Sequence, residues 1–208
     1  MTELFTLPIL RVEQPRKVVA TRTRYDFFDE RGTLVATAAD VNERPRRVAL
    51  RAALPGNVLA GDQVLLLTDA DETPLLVIEK HASNRRTVVR RPGDDSSEET
   101  DPFEGEIIGT IDAVRTTRHH VLKDAEGTKI GEVTGDLALK RFAVTDTESR
   151  HVAQVNKRWA GLRAELLTNA DRYTVERLTN RLSDTFRALI VVLPVVLDLT
   201  LYESKDIL

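Results

Sequence analysis

The sequence predicts an all-β protein whose strands form a closed or nearly closed antiparallel barrel, followed by a buried C-terminal segment. Two observations predict this fold. Short β-rich runs meet repeatedly at Asp-containing turns, and residues 188–197 form a wholly apolar run near the end of the chain. The 208 residues lack cysteine, but a chain of this length can bury a core without disulfides or metal ions.

Aspartates are predicted to mark four β-hairpins. In each, a run rich in Val, Leu, Phe or Tyr ends at an Asp, a few small or polar residues follow, and a second run with alternating apolar positions begins. Asp favours such turns because its side chain bonds the backbone two residues on. Their unequal spacing along the chain excludes a solenoid, whose repeats must stack at a fixed period. The turn aspartates are Asp29, Asp69, Asp124 and Asp146.

Further strand-like stretches complete the predicted sheet, and closing it into a barrel would remove exposed edges. Residues 91–102 contain no apolar side chain, so burial cannot offset the entropy of ordering them. We therefore expect a mobile acidic loop over residues 92–104. It would join two pseudo-equivalent halves of a single domain, at about 7–91 and 105–203. The additional strand-like stretches are residues 9–12, 18–23, 87–90, 106–113 and 162–167.

The apolar run 188–197 is shorter than the ~20 residues that a transmembrane helix needs. Pro194 and Asp198 also count against free insertion into lipid. A segment that is apolar on every face is typical of a buried element, so the residues favour a buried helix or strand over a membrane span or a surface anchor. Ser183 or Asp184 would cap such a helix. The predicted core residues are Leu189, Ile190, Leu193, Val196 and Leu197.

The end of the chain resembles a known family. The similarity is to the phospholipid scramblases and their plant and bacterial LURP-one-related relatives, and the chain is identified as a bacterial-type member. It implies the fold of the tubby C-terminal-like superfamily, which is a twelve-stranded antiparallel closed β-barrel around a hydrophobic C-terminal central helix. The segments that carry the resemblance are 152–161, 168–175, 187–192 and 196–203, with 108–111 and 130–133 similar to the family's repeated short strands.

The resemblance also implies a function. Tubby-like domains as a class are associated with phosphoinositides, so we expect binding of anionic phospholipid headgroups, which attract nearby basic residues by ~1 kcal/mol each. Solvated surface charge is the alternative for these clusters, since the acidic loop follows the second cluster directly. A protein-interaction or structural module with no lipid role is the alternative function. The candidate lipid-binding residues are Arg44, Arg46, Arg47, Arg85, Arg86, Arg90 and Arg91.

Eukaryotic scramblases carry a calcium-binding segment before the helix, and Asn169, Asp171 and Tyr173 match its start. Calcium requires six to eight oxygen ligands, whereas Val175 and Arg177 occupy the same stretch here. A plain turn is therefore the favoured interpretation for Asn169 and Asp171. We predict no metal ion and no cofactor.

Composition and motifs exclude several other functions. A net charge of −3 argues against a general nucleic-acid binder. The sequence contains no Gly-x-Ser-x-Gly, P-loop or dinucleotide-binding motif, so we expect no covalent catalysis. His119 and His120 would point to opposite faces of a strand and could not share a metal. The N-terminus shows no secretory signal, and we expect a cytoplasmic protein that can attach to the inner surface of the membrane.

Overall fold

The computed structural model describes residues 3–14, 23–41, 63–80, 85–93, 105–114, 118–158 and 172–203. Within these ranges the chain forms a short 3-10 helix at Glu3–Thr6, twelve strands and one α-helix, α1, at Asp184–Glu203. The strands are β1 (Ile9–Glu13), β2 (Arg24–Phe28), β3 (Leu34–Asp40), β4 (Gln63–Asp69), β5 (Pro74–Lys80), β6 (Arg86–Arg90), β7 (Ile107–Ala113), β8 (His119–Asp124), β9 (Lys129–Gly135), β10 (Arg141–Asp146), β11 (His151–Arg158) and β12 (Arg172–Arg177).

The strands form a closed antiparallel barrel. Each strand pairs with the next along the chain, and β1 pairs with both β2 and β12, which closes the sheet. The pairing of β6 with β7 joins the two halves of the chain. The twelve-stranded barrel implied by the resemblance is therefore confirmed.

The four predicted Asp hairpins are all present, and they share one turn geometry. In each, the Asp Oδ1 accepts a hydrogen bond from the backbone N–H four residues later, at 2.7 to 2.9 Å. The residue three positions after the Asp has a positive φ, which is 88° at Gly32 and 62° at Ser149. A fifth turn of the same kind joins β9 to β10, where Asp136 accepts from the Lys140 N–H at 2.8 Å and Leu139 has a φ of 54°. We did not predict this fifth turn.

The helix α1 lies inside the barrel. Residues 188–200 of the helix are all buried, and their side chains join the inward-facing side chains of the strands in one continuous core. Leu189, Leu193 and Leu197 are fully buried, and Ile190 and Val196 are nearly so. The helix continues through Pro194. Of the alternatives that the apolar run left open, the buried helix is the one observed.

Close approach of α1 to the sheet depends on two glycines. A Cβ atom on Gly131 would lie 2.6 Å from Phe186 Cζ, and one on Gly109 would lie 3.3 Å from Leu189 Cδ1. The helix is also capped as predicted by one of the two candidates, since Ser183 Oγ accepts a hydrogen bond from the Phe186 N–H at 3.2 Å. These contacts fix where the helix begins.

The two ends of the barrel differ, and we name them from the helix. The lower rim is the end at which α1 begins, and it carries the turns at Asp29, Asp69, Asp124 and Asp146. The upper rim is the end at which α1 finishes. Since the strands alternate in direction, the upper rim contains the ends of the odd-numbered strands and the starts of the even-numbered ones, including Glu13, Ala113, Arg141, Arg158 and Arg172.

Several predictions of structure fall outside the described residues. These are the strand over residues 162–167, nearly all of the strand over 18–23, and residues 94–104 of the acidic loop. The stretches at 9–12, 87–90 and 106–113 correspond to β1, β6 and β7.

Candidate functional site

Four of the predicted lipid-binding arginines lie on or beside β6, but at opposite ends of it. Arg85 and Arg86 lie at the upper rim, whereas Arg90 and Arg91 lie toward the lower rim. Side chains alternate along the strand, so Thr87 and Val89 face the core, while Arg86 and Arg90 face outward. The other three candidates, Arg44, Arg46 and Arg47, lie outside the described residues.

Carboxylates lie beside three of these arginines. Arg86 makes a two-pronged contact with Asp112, with its Nε 2.8 Å from Oδ1 and a terminal nitrogen 3.2 Å from Oδ2. Arg90 Nε lies 3.0 Å from Glu79 Oε1, and Arg91 Nε lies 3.8 Å from Glu106 Oε2. Arg91 and Glu106 are both exposed, and such a pair contributes ~0 to 1 kcal/mol, so a phosphate could replace that carboxylate at little cost. Asp112 and Glu79 are half-buried, so displacing them would leave a partly buried carboxylate without its partner.

Asp112 is shared between two cations. Lys123 Nζ, from the neighbouring strand β8, also approaches its Oδ2, at 2.8 Å. Burial disfavours the charged carboxylate, but the hydrogen bonds from Arg86 and Lys123 outweigh it and lower the pKa of Asp112. The three groups together therefore carry one net positive charge on the outer face of the barrel.

A groove of about 350 Å³ lies beside Arg91 at the lower rim. Its walls mix apolar side chains, including Phe5, Leu75 and Ile108, with polar ones, including Asp184 at the start of α1. Arg91 is thus the one candidate arginine among the described residues that borders both this groove and the acidic loop predicted from the sequence.

A buried polar cluster surrounds the C-terminal part of α1. Asp198 is completely buried and accepts hydrogen bonds from the Tyr25 hydroxyl at 2.8 Å and the Tyr173 hydroxyl at 2.9 Å. Lys157 Nζ lies 3.8 Å from Asp198 Oδ1 and 5.2 Å from the centroid of the Tyr173 ring. Strands β2, β11 and β12 thus each contribute a partner, which ties the helix to both sides of the seam where the barrel closes.

Sequence reasoning missed this cluster. The signal was one charged residue within an otherwise apolar segment, since a buried carboxylate needs hydrogen-bonding partners. Lys80 is also buried, at the end of β5 on the same rim. Nothing in the local sequence around Lys80 or Lys157 distinguishes these inward-facing lysines from solvated ones.

The structure places Tyr173 in strand β12, where its hydroxyl bonds Asp198. Its predicted neighbours in a calcium segment, Asn169 and Asp171, lie outside the described residues. Within the described ranges, no three His, Asp or Glu side chains come close enough together to hold a metal ion.

His120 is buried in the barrel interior, and neither of its ring nitrogens has a hydrogen-bond partner. Its neighbour His119 faces the other way and lies 3.7 Å from Glu132, as the alternation of a strand predicts. Burial lowers the pKa of His120 to about 4, with a smaller contribution from His119. The neutral imidazole is therefore the form that the folded barrel accommodates.

Acid should destabilise the protein through His120. Its pKa is about 4 when folded and near the ordinary histidine value of 6.5 when unfolded, so the unfolded chain binds more protons between these values. The stabilisation is complete above pH ~6.5 and is lost as the pH falls toward ~4, by about 3 kcal/mol. Denaturant titrations measure the free energy of unfolding across this pH range. Its dependence on pH should be weaker in His120→Leu and unchanged in His151→Gln, which changes an exposed histidine. If His120→Leu leaves the pH dependence of the unfolding free energy unchanged, His120 is not buried as a neutral imidazole.

These features define a closed β-barrel built around a central apolar helix. The family model described as Scramblase matches residues 64–204, which is more than half of the chain, so the protein belongs to the scramblase family. Among solved structures, an X-ray structure of a protein from Arabidopsis thaliana is similar, with a TM-score of 0.49 and 15% sequence identity over 91% of this chain and 93% of that one. Among curated proteins, no sequence matches this chain.

Among the described residues, no helix combines the length and the hydropathy that crossing a membrane requires.

Proposed function

We propose that this protein is a scramblase-like, LURP-one-related protein of the bacterial type that binds anionic phospholipid headgroups at a membrane surface, without covalent chemistry. Membership of the scramblase family supports a role at lipid. The observation that carries the proposal is the set of arginines along β6, whose side chains face outward and pair with half-buried carboxylates of the neighbouring strands. The binding residues proposed are Arg85, Arg86, Arg90 and Arg91, with Arg44, Arg46 and Arg47 from the first cluster.

Lipid phosphates could compete with the carboxylates that now pair with the arginines of β6. Arg86 holds Asp112 with two parallel N–H donors, the same geometry with which guanidinium binds phosphate. Arg85 has no carboxylate within ion-pair distance among the described residues, and its side chain is exposed. An anionic membrane surface would therefore add interactions to Arg85 and compete for those of Arg86 and Arg90.

Vesicle sedimentation tests this proposal. The protein should sediment with phosphatidylcholine vesicles that contain phosphatidylserine and not with phosphatidylcholine alone. Binding should weaken steeply as the salt concentration rises to ~0.15 M, because exposed charges are then screened beyond ~8 Å. Changing Arg85, Arg86, Arg90 and Arg91 together to Gln should reduce binding by at least tenfold.

A matched control separates specific contacts from net charge. Arg31, Lys129, Arg150 and Arg181 are exposed at the lower rim, and changing these four to Gln removes the same charge. Equal losses in the two quadruple variants would show that charge alone matters. Salt-independent binding would contradict the electrostatic basis of the proposal.

The second candidate function is a protein-interaction module with no lipid role. The pairs Arg86–Asp112 and Arg90–Glu79 favour it, since they balance part of the positive charge within the sheet itself. Failure to bind anionic vesicles at any salt concentration would favour this function over the first.

A further inference from the structure

The upper rim carries positive charges that the described residues do not balance. Arg141 lies 3.4 Å from Asp136, and Arg172 lies 3.6 Å from Glu13. Four further exposed cations have no carboxylate within ion-pair distance among the described residues. These are Arg85, Arg118, Lys140 and Arg158.

Two of the rim arginines lie opposite each other, and the carboxylate of Glu13 offsets only one of them, Arg172. Arg158 at the end of β11 pairs directly with Arg172 at the start of β12, and both side chains are exposed. Like charges opposite each other destabilise a strand pair. An anionic partner above the rim would remove that repulsion, so the arrangement suits a negatively charged surface better than it suits solvent.

An exposed leucine projects from the same rim. Leu137, in the β9–β10 turn, is 88% exposed. The turn is fixed by the hydrogen bond from the Lys140 N–H to Asp136 Oδ1, and the Gly135 N–H donates to the Arg118 carbonyl at 2.7 Å. Leu137 therefore stands on a well-defined turn whose neighbours include Arg118 and Lys140.

The geometry of the turn does not require this leucine. In the five turns of this kind among the described residues, the residue directly after the Asp is exposed. Its side chain takes no part in the hydrogen bonds that define the turn. At the lower rim that position holds Glu30, Ala70, Ala125 and Thr147. The large apolar residue occurs at the upper rim.

A second exposed apolar residue lies nearby. Val114 follows β7, is 39% exposed, and its N–H donates to the His119 carbonyl at 2.8 Å. Arg118 precedes His119, so it lies between Val114 and the turn that carries Leu137. Apolar side chains interspersed with basic ones are the pattern by which proteins bind the interface of an anionic membrane.

We propose that the upper rim is the membrane-docking face of the protein. Leu137 enters the interface between headgroups and acyl chains of an anionic bilayer, while Arg118, Lys140 and Arg158 contact lipid phosphates. This inference rests on the proposed function, which it deepens by giving the orientation of the bound barrel. It also narrows the proposed residues, since Arg85 and Arg86 lie at the docking rim whereas Arg90 and Arg91 lie toward the opposite rim and would not contact lipid in this orientation. The axis of α1 would then be directed toward the membrane, with the C-terminus of the helix at the lipid side.

A fluorescent probe at the tip of the turn reports insertion directly. The chain has no cysteine, so Leu137→Cys can be labelled at one site with an environment-sensitive dye. Thr147→Cys is the matched control, because it occupies the same position of the same kind of turn at the lower rim. With vesicles containing phosphatidylserine, the dye at position 137 should shift to the blue, and the dye at 147 should not. A shift at 147 but not at 137 would overturn the proposed orientation.

Two unlabelled variants test the energetic contribution. Leu137→Asp should weaken binding to phosphatidylserine vesicles at least tenfold. The triple change of Arg118, Lys140 and Arg158 to Gln should weaken it about a hundredfold, from a contribution of ~1 kcal/mol for each charge. Arg31, Lys129 and Arg181 changed together to Gln serve as the control with equal charge, and circular dichroism checks that each variant is folded.

The outcomes separate this inference from the function on which it rests. If the unmodified protein binds no anionic vesicles, the proposed function fails and the docking face with it. If it binds, but Leu137→Asp and the rim triple variant bind equally well, the docking face is wrong while lipid binding stands. A third outcome is that the protein binds no vesicles and the rim variants lose binding to a purified protein. That result would overturn the docking proposal and assign the face to the protein.

Discussion

Deleting residues 184–208 is expected to unfold the protein. The deletion removes α1, whose side chains from Ala188 to Thr200 are buried in the barrel. About ten apolar side chains at ~1.5 to 3 kcal/mol each amount to a loss on the order of 20 kcal/mol. The net stability of a domain is only ~5 to 15 kcal/mol. We therefore expect an insoluble or unfolded chain, as measured by gel filtration and near-ultraviolet circular dichroism.

A single substitution tests the same core without shortening the chain. Leu193→Asp places an unpaired charge at a fully buried position and should abolish cooperative folding. Leu137→Asp makes the same chemical change at an exposed leucine and should alter the free energy of unfolding by less than ~0.5 kcal/mol. A truncated chain that stays soluble and unfolds cooperatively would show that the barrel does not depend on the helix, as a membrane anchor would predict.

Asp198→Ala is expected to have the second largest effect, a loss of about 3 to 5 kcal/mol of stability. The change removes the carboxylate that accepts hydrogen bonds from Tyr25 and Tyr173 and faces Lys157. The buried ammonium group of Lys157 then loses a nearby negative charge, and both phenol hydroxyls lose an acceptor. Urea unfolding followed by circular dichroism measures the change.

The separate contributions within this cluster can be resolved. Tyr25→Phe and Tyr173→Phe each remove one hydrogen bond and should cost ~1.5 to 3 kcal/mol, because the acceptor is charged. Asp184→Ala is the control, since Asp184 lies on the same helix but is exposed. If Asp198→Ala costs no more than Asp184→Ala, the cluster does not hold the C-terminal part of the helix in place.

Features with local causes could be predicted from the sequence. The turns at Asp29, Asp69, Asp124 and Asp146 depend on one carboxylate bonding its own backbone, so residue type and the flanking apolar runs sufficed. The turn at Asp136 was missed because Leu137, Ala138 and Leu139 interrupt the polar composition that marks the others. The apolar run 188–197 predicted burial, but its valines left helix and strand unresolved until the resemblance was considered.

Features that depend on distant partners could not be predicted in this way. Asp112 pairs with Arg86 across β6 and β7, and it is a partner that no local pattern around Arg86 marks. Tyr173 only matches, by position, the start of the family's calcium-binding segment, and its observed partner Asp198 is 25 residues further along the chain. The exposed Leu137 attracts notice only once the turns are compared at equivalent positions.

Hydrogen exchange of the α1 backbone in detergent-free buffer tests the central claim most directly. If the helix is the core of a closed barrel, its amides from Leu189 to Leu197, other than Pro194, which has no N–H, can exchange only when the barrel opens. They should then be as protected as those of the paired strands β7 and β8. The expected result is one common free energy of opening for helix and strands, close to that of global unfolding. Rapid exchange throughout α1 while β7 and β8 remain protected would contradict the account, because it would place the helix outside the barrel.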